Sequence, residues 1–154
     1  MPIVVGVICF IECMGTAYGV HDQFASNPQK RVEFYREMYG NCTIVLTNLE
    51  IVHLYPAADS DYDLSFFENI REVHGYVLVA SNLVSRVPLT SLRVIRGLEQ
   101  FKLPTDSKTT EDGTGFSLYV AANIYQQPDG LKRGLRVLEL PSLRGRQTYL
   151  LDVS

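Results

Sequence analysis

Residues 64–97 read LSFFENIREVHGYVLVASNLVSRVPLTSLRVIRG, and this stretch contains one pattern twice. The segment IREVHG at 70–75 is followed 22 residues later by LRVIRG at 92–97. A period in the twenties is typical of stacked coils, in which each repeat buries its apolar side against the next. The repeat therefore predicts a mostly β chain built as a solenoid.

Short apolar runs around the repeat predict the strands. The runs are 43–46, 49–54, 76–80 and 118–122. Near-continuous apolar runs are expected for parallel strands. Coil stacking should bury alternate strand residues and the aliphatic residues of each repeat. The predicted core is Leu49, Ile51, Leu64, Phe67, Ile70, Val73, Val77, Val79, Leu92, Ile95, Leu118 and Val120.

Two predicted strands end alike, in Ser81-Asn82 and Ala122-Asn123. Asparagine side chains readily satisfy backbone groups at turns. We therefore predict a ladder of turn asparagines at this edge, with a structural role.

Residues 27–40 predict a helix. Asn27 suits the N-cap, Pro28 the first helical position and Gly40 a left-handed C-cap. One apolar face should be formed by Val32, Tyr35 and Tyr39, widened by Phe34 and Met38. We expect this helix to cap the open N-terminal end of the coil stack, whose core would otherwise meet water.

Length, composition and net charge limit the classes of protein to which this chain can belong. A length of 154 residues predicts one domain, and 46% apolar residues suffice for a core. A net charge of −3 argues against nucleic-acid binding, and the late basic cluster is interpreted as a solvated rim. The cluster comprises Lys132, Arg133, Arg136, Arg144 and Arg146.

Motifs for catalysis are missing from the sequence. It contains no nucleophile elbow, phosphate loop, zinc spacing or kinase motif. The acidic loop at 57–63 lacks the spacing of a calcium loop, and the three histidines are scattered. We therefore expect no catalytic residues, no metal and no cofactor in this chain.

Three cysteines, Cys9, Cys13 and Cys42, leave two readings open: one disulfide with an odd thiol, or reduced thiols in a cytosolic chain. Asn41 begins an Asn-Cys-Thr motif and is a candidate glycosylation site.

Residues 1–12 form an apolar segment too short to span a bilayer. We interpret this segment as a signal remnant or a gene-model artefact.

Ordered short motifs along most of the chain carry a family resemblance. They are CMGT at 13–16, NCT at 41–43, NLEI at 48–51, DLSF at 63–66, EVHGYVL at 72–78, VIRG at 94–97 and LPSLR at 140–144. Over roughly residues 13–144 the chain resembles the receptor L domain of the epidermal growth factor receptor and insulin receptor families. The residues YDLSF at 62–66 and GY at 75–76 resemble the first L domain of the epidermal growth factor receptor branch.

The resemblance implies a right-handed parallel β-helix, like a leucine-rich repeat, with an N-terminal capping helix. It also implies a Cys13–Cys42 disulfide. Three segments are expected: an apolar segment at 1–12, an L domain at 13–144 with an incomplete last coil, and a divergent tail at 145–154. The chain is thus expected to be a truncated receptor product.

The resemblance further implies an extracellular module that binds an epidermal-growth-factor-like peptide. The positions carried over from the family are Val20, Asp22, His53, Ser81, Ala121 and Ala122. The parent receptor would be a tyrosine kinase with a possible dimer partner, while this chain would itself contact no membrane. The alternative is a secreted decoy or a non-functional fragment.

Overall fold

The computed structural model describes residues 9–16, 27–57, 60–103, 115–145 and 149–151. Within these ranges the chain is mostly strand, with one α-helix and one short 3-10 turn at Ser65–Phe67. The helix α1 is Pro28–Tyr39, and the strands are β1 Glu12–Cys13, β2 Ile44–Val45, β3 Leu49–Val52, β4 Glu72–Val73, β5 Val77–Ala80, β6 Arg86–Pro88, β7 Val94–Ile95, β8 Leu118–Ala121, β9 Ile124–Gln126, β10 Lys132–Gly134, β11 Val137–Glu139 and β12 Tyr149–Leu151.

Two four-stranded parallel sheets organise the molecule. Sheet I has the order β1-β2-β4-β7, and sheet II has the order β12-β8-β5-β3. A parallel pair, β6 with β11, forms a third side, and β9 with β10 forms an antiparallel hairpin. From β4 onward the chain passes twice through sheet I, sheet II and the third side, first as β4, β5 and β6 and then as β7, β8 and β11.

The sequence repeat is confirmed as a stacking unit in sheet I. Glu72 lies opposite Val94, and Val73 lies opposite Ile95, so the two copies are direct neighbours. Arg96 donates a hydrogen bond to the Glu72 carboxylate across this pair. That hydrogen bond, followed by the charges of Arg96 and His74, lowers the pKa of Glu72.

The core lies between the sheets, and the sequence-based core prediction is confirmed. All twelve predicted residues are buried. A second, smaller cluster covers the outer face of sheet II. It is formed by Val52, Tyr76, Leu78 and Phe101, with Ala80 and Tyr119 packed against it.

The helix begins as predicted but ends differently. The Asn27 side chain accepts a hydrogen bond from the Lys30 N–H, and Pro28 opens the helix. Val32, Tyr35 and Tyr39 are buried, with Phe34 and Met38 partly so. The prediction of a left-handed Gly40 is wrong, because Gly40 has φ −52° and its N–H continues the helical bonding to Arg36. A Cβ there would lie 2.8 Å from the Arg36 carbonyl oxygen, and this contact favours glycine.

Other boundaries shift by one or two residues. The runs at 43–46 and 49–54 contain strands of two and four residues, and the runs at 76–80 and 118–122 each lose one end residue. Within the segment 145–154, Tyr149–Leu151 pair in parallel with Leu118–Val120 and extend sheet II. Helix α1 is too short to cross a bilayer, and the described ranges contain no other α-helix.

Candidate functional site: three stacked turns

Three equivalent turns lie at one edge of sheet II. Strands β3, β5 and β8 end at Val52, Ala80 and Ala121, which are aligned in the sheet. The next residues are His53, Ser81 and Ala122. Since the carboxyl ends of parallel strands share an edge, these residues stack above one another, and they are three of the six positions named from the sequence.

The three residues share an unusual backbone conformation. Their φ angles are 55° at His53, 56° at Ser81 and 54° at Ala122, in the left-handed region. Residues other than glycine seldom adopt this region, and each instance costs about 1–3 kcal/mol and persists only where the surroundings impose it. Each turn must therefore be held by contacts from neighbouring coils.

The first turn is spanned by the side chain of Asn82, which lies in the second coil and is fully buried. Its side-chain oxygen accepts a hydrogen bond of 3.1 Å from the Leu54 N–H. Its side-chain nitrogen donates to the Ile51 carbonyl at 2.8 Å and to the Asn123 side-chain oxygen at 3.0 Å. The amide thereby ties the second coil to the first.

Asn123 repeats these contacts one coil later. Its side-chain oxygen also accepts from the Asn82 N–H at 3.1 Å, and its side-chain nitrogen donates to the Val79 carbonyl at 2.8 Å. The predicted asparagine ladder is thus confirmed.

Helix α1 also holds the first turn. At the place of the asparagine this coil has Leu54, and Arg31 instead donates from Nη1 to the His53 carbonyl at 3.1 Å. Arg31 is only 1% exposed. The Tyr35 hydroxyl accepts a 3.3 Å hydrogen bond from the Val52 N–H, and burial raises the pKa of Tyr35, so the hydroxyl stays neutral.

Sequence reasoning did not identify Arg31 as part of the site. A signal was present, because Arg31, Tyr35 and Tyr39 are spaced by four and share one helix face. An arginine on an otherwise apolar, buried face requires an acceptor in the interior.

The exposed side of the first turn carries an aromatic pair. His53 is exposed, and its Nδ1 lies 2.9 Å from the Tyr55 hydroxyl. The two ring centroids are 6.0 Å apart, and Tyr55 is 41% exposed. Tyr55 was also absent from the sequence-based set, although it follows His53 by two residues.

The two predicted alanines differ in exposure. Ala121 is 8% exposed and its carbonyl accepts from the Ser81 N–H at 3.3 Å, so it lies beneath the turns. Ala122 is exposed. Val20 and Asp22 lie outside the described residues.

Cys13 and Cys42 form a disulfide, as predicted, with 5.8 Å between their Cα atoms. Cys9 is free and exposed. The bond joins strand β1 to the segment that follows helix α1. Asn41, beside it, is exposed at the carboxyl end of the helix.

The basic cluster lies partly along an open groove of about 540 Å³ beside the β9–β10 hairpin. Lys132, Arg133 and Arg136 line it together with Asp61 and Asp129. Arg133 donates to the carbonyls of residues 56 and 57, which is a structural role. Across the described ranges, no group of three or more His, Cys, Asp or Glu side chains could hold a metal ion.

Comparison with known proteins places this architecture among receptors. The receptor L domain family matches residues 41–148. The receptor tyrosine-protein kinase erbB-2 of Mesocricetus auratus is 37% identical over 149 residues, covering 90% of this chain and 11% of the relative. The erbB-2 protein of Rattus norvegicus is 35% identical over 136 residues, covering 85% and 10% respectively.

A third relative has a different name. The melanoma receptor tyrosine-protein kinase of Xiphophorus maculatus is 39% identical over 112 residues, covering 70% of this chain and 8% of that protein. The chain thus spans about a tenth of the length of these relatives.

Proposed function

The chain belongs to the receptor L domain family, in the branch of the epidermal growth factor receptors, and we propose that its three stacked turns bind a peptide growth factor outside the cell. The observation that carries this proposal is the alignment of His53, Ser81 and Ala122 at one edge of sheet II. A rigid edge of this kind offers a preorganised surface, which lowers the entropy lost on binding.

The scaffold is proposed to be a right-handed parallel β-helix of about three coils. Support comes from the repeated route of the chain through sheet I, sheet II and the third side. Parallel pairing between equivalent strands of successive passes also supports it. Such a scaffold holds equivalent turns at a constant spacing.

The side chains favour a ligand that lies flat across the edge. Ser81 and Ala122 are small, so a peptide backbone could approach the two later turns closely. The His53–Tyr55 pair offers an aromatic and polar contact at one end. Tyrosine is enriched among residues that contribute most to binding. We expect Tyr55 to contribute more than Ala121, which is buried.

The proposed ligand is an epidermal-growth-factor-like peptide, and the proposed action is binding without catalysis in this chain. A surface built on three turns is at the small end of protein interfaces, so binding should be weak. In a longer receptor a second copy could be a dimer partner. The same face would serve a membrane-bound receptor or a secreted decoy.

The test is a binding titration of the chain with epidermal-growth-factor-like peptides. Ser81→Arg and Ala122→Arg place a long cation on the edge and should weaken binding about tenfold or more, a loss of about 1.4 kcal/mol. Ser91→Arg is the matched control, since Ser91 is a partly exposed turn residue outside this edge and should leave binding unchanged.

Thermal unfolding of each variant separates loss of the surface from loss of the fold. If the two edge variants remain folded and bind as well as the unmodified chain, the edge is not the binding face. Absence of any binding by the unmodified chain would contradict the ligand class.

A further inference from the structure

Residues Asn41, Cys42 and Thr43 combine two modifications in three consecutive positions. Asn41 and Thr43 form the acceptor motif for an N-linked glycan, and Cys42 is bonded to Cys13. Asn41 is exposed, so the folded domain has room for a glycan there. Cys42 is buried.

The folded structure engages the threonine of this motif. The Thr43 hydroxyl accepts a hydrogen bond of 2.8 Å from the Ile11 N–H and donates one of 3.1 Å to the Ile11 carbonyl. The Thr43 N–H also donates to the Ile11 carbonyl at 2.8 Å. Ile11 directly precedes strand β1, which the disulfide holds in place.

A glycan-transfer enzyme recognises the third residue of the motif by its hydroxyl group. We propose that glycan addition at Asn41 competes with closure of the Cys13–Cys42 disulfide, and that only chains modified before β1 docks carry the glycan. Once β1 is docked, Thr43 is engaged on both its hydroxyl and its N–H. The secreted protein is therefore a mixture of glycosylated and bare chains.

Each competing reaction has a defined co-reactant. In glycan transfer, the Asn41 side-chain nitrogen loses a proton and bonds to the anomeric carbon of a lipid-diphosphate-linked oligosaccharide, and the lipid diphosphate leaves. In oxidation, the Cys13 and Cys42 thiols give two protons and two electrons to the disulfide of an oxidoreductase, which becomes a dithiol.

The glycan would lie away from the proposed binding edge. Arg31, which contacts the His53 turn, precedes Asn41 by ten residues, and nearly all of this separation is helix. At a rise of 1.5 Å per residue, the two ends are about 15 Å apart. This inference is independent of the proposed ligand.

The experiment expresses the full chain through the secretory pathway behind an added signal peptide. The glycosylated fraction of Asn41 is measured by mass spectrometry on total newly made protein, so that folding of a variant does not affect the count. The double variant Cys9→Ser/Cys13→Ser keeps the motif and removes every partner of Cys42. Its glycosylated fraction should rise about twofold or more, because oxidation no longer competes.

Two further samples complete the design. Cys9→Ser alone is the matched control and should resemble the unmodified chain, and Thr43→Val should lose the glycan. Brief treatment of cells making the unmodified chain with a thiol reductant should raise the fraction without any substitution. Equal glycosylation with and without Cys13, or no glycan in any sample, would overturn the proposal.

Discussion

At the scale of single residues, three left-handed turns show how a strained backbone is maintained. His53, Ser81 and Ala122 adopt the same φ without being glycine. At His53, the carbonyl is hydrogen-bonded to the buried guanidinium of Arg31. A buried charge is costly unless its donors are used, so this acceptor offsets part of the cost of burying Arg31.

Replacing Arg31 should therefore destabilise the domain. We expect Arg31→Met, which keeps the length and apolar volume of the side chain, to lower the free energy of unfolding by about 1.5–3 kcal/mol, the range for hydrogen bonds to charged groups. Urea denaturation measures this loss. Arg36→Met is the matched control, because Arg36 is an exposed arginine of the same helix whose contact with the Phe66 ring is worth about 1 kcal/mol or less.

Repeating the Arg31→Met substitution in a chain that also carries His53→Gly tests why the free energy of unfolding is lost. Glycine adopts a positive φ freely, so Arg31→Met should cost less when combined with His53→Gly. Equal losses for Arg31→Met and Arg36→Met would show that Arg31 does not brace the turn.

At the scale of elements, the asparagine ladder links one coil to the preceding one. Asn82 and Asn123 each accept from a backbone N–H of the previous coil and donate to one of its carbonyls. No earlier strand of sheet II lies beyond β3 in the described structure, so Leu54 can replace an asparagine there. Helix α1 supplies the contacts at this end instead.

Removing one amide should leave a buried backbone N–H without a partner. Asn82→Ala would remove the acceptor of the Leu54 N–H and one of the donors to the Ile51 carbonyl, and we expect a loss of about 1–3 kcal/mol in the free energy of unfolding. Asn123→Ala should cost a similar amount. The double variant should lose less than the sum, since both single variants break the hydrogen bond between the two amides.

Chemical denaturation of the three variants measures the coupling. Gln126→Ala is the control, because it removes an exposed amide from strand β9 and should change stability by about 0.5 kcal/mol or less. Strict additivity of the two asparagine substitutions would mean that the ladder does not act as a unit.

At the scale of the whole molecule, one main core runs through the coils, and the Cys13–Cys42 disulfide closes it at the helix end. Leu92 belongs to the second copy of the repeat and is fully buried. In the chain-entropy model, a disulfide spanning 29 residues adds about 3–4 kcal/mol to stability. Core and disulfide together stabilise a chain whose individual strands are only two to four residues long.

Truncating the core at the repeat should therefore be costly. Leu92→Ala is expected to lower the free energy of unfolding by about 2–5 kcal/mol, from lost burial and the cavity left behind. Leu98→Ala removes the same atoms from a side chain that is 78% exposed, and should have an effect of about 0.5 kcal/mol or less. Similar small losses for both variants, measured by urea denaturation, would contradict the observed register of the repeat.

Much of this architecture was predictable from residue patterns. The 22-residue repeat predicted the neighbours in sheet I, and all twelve core residues followed from coil stacking. The family resemblance predicted the disulfide, and the paired Ser81-Asn82 and Ala122-Asn123 endings predicted the ladder. These features repeat along the chain or match short motifs, so they are visible locally.

Other features depended on contacts between distant parts of the chain. The pairing of Tyr149–Leu151 follows from the open edge of β8. The left-handed His53, and its bond to Arg31 at a separation of 22 residues, exist only when the helix packs beside β3. The sequence alone thus determined the twelve core residues named from it, because their burial follows a periodic apolar pattern. The tertiary structure decided the geometry of the proposed binding edge, because turn dihedrals and buried hydrogen bonds are set by the coils that meet there.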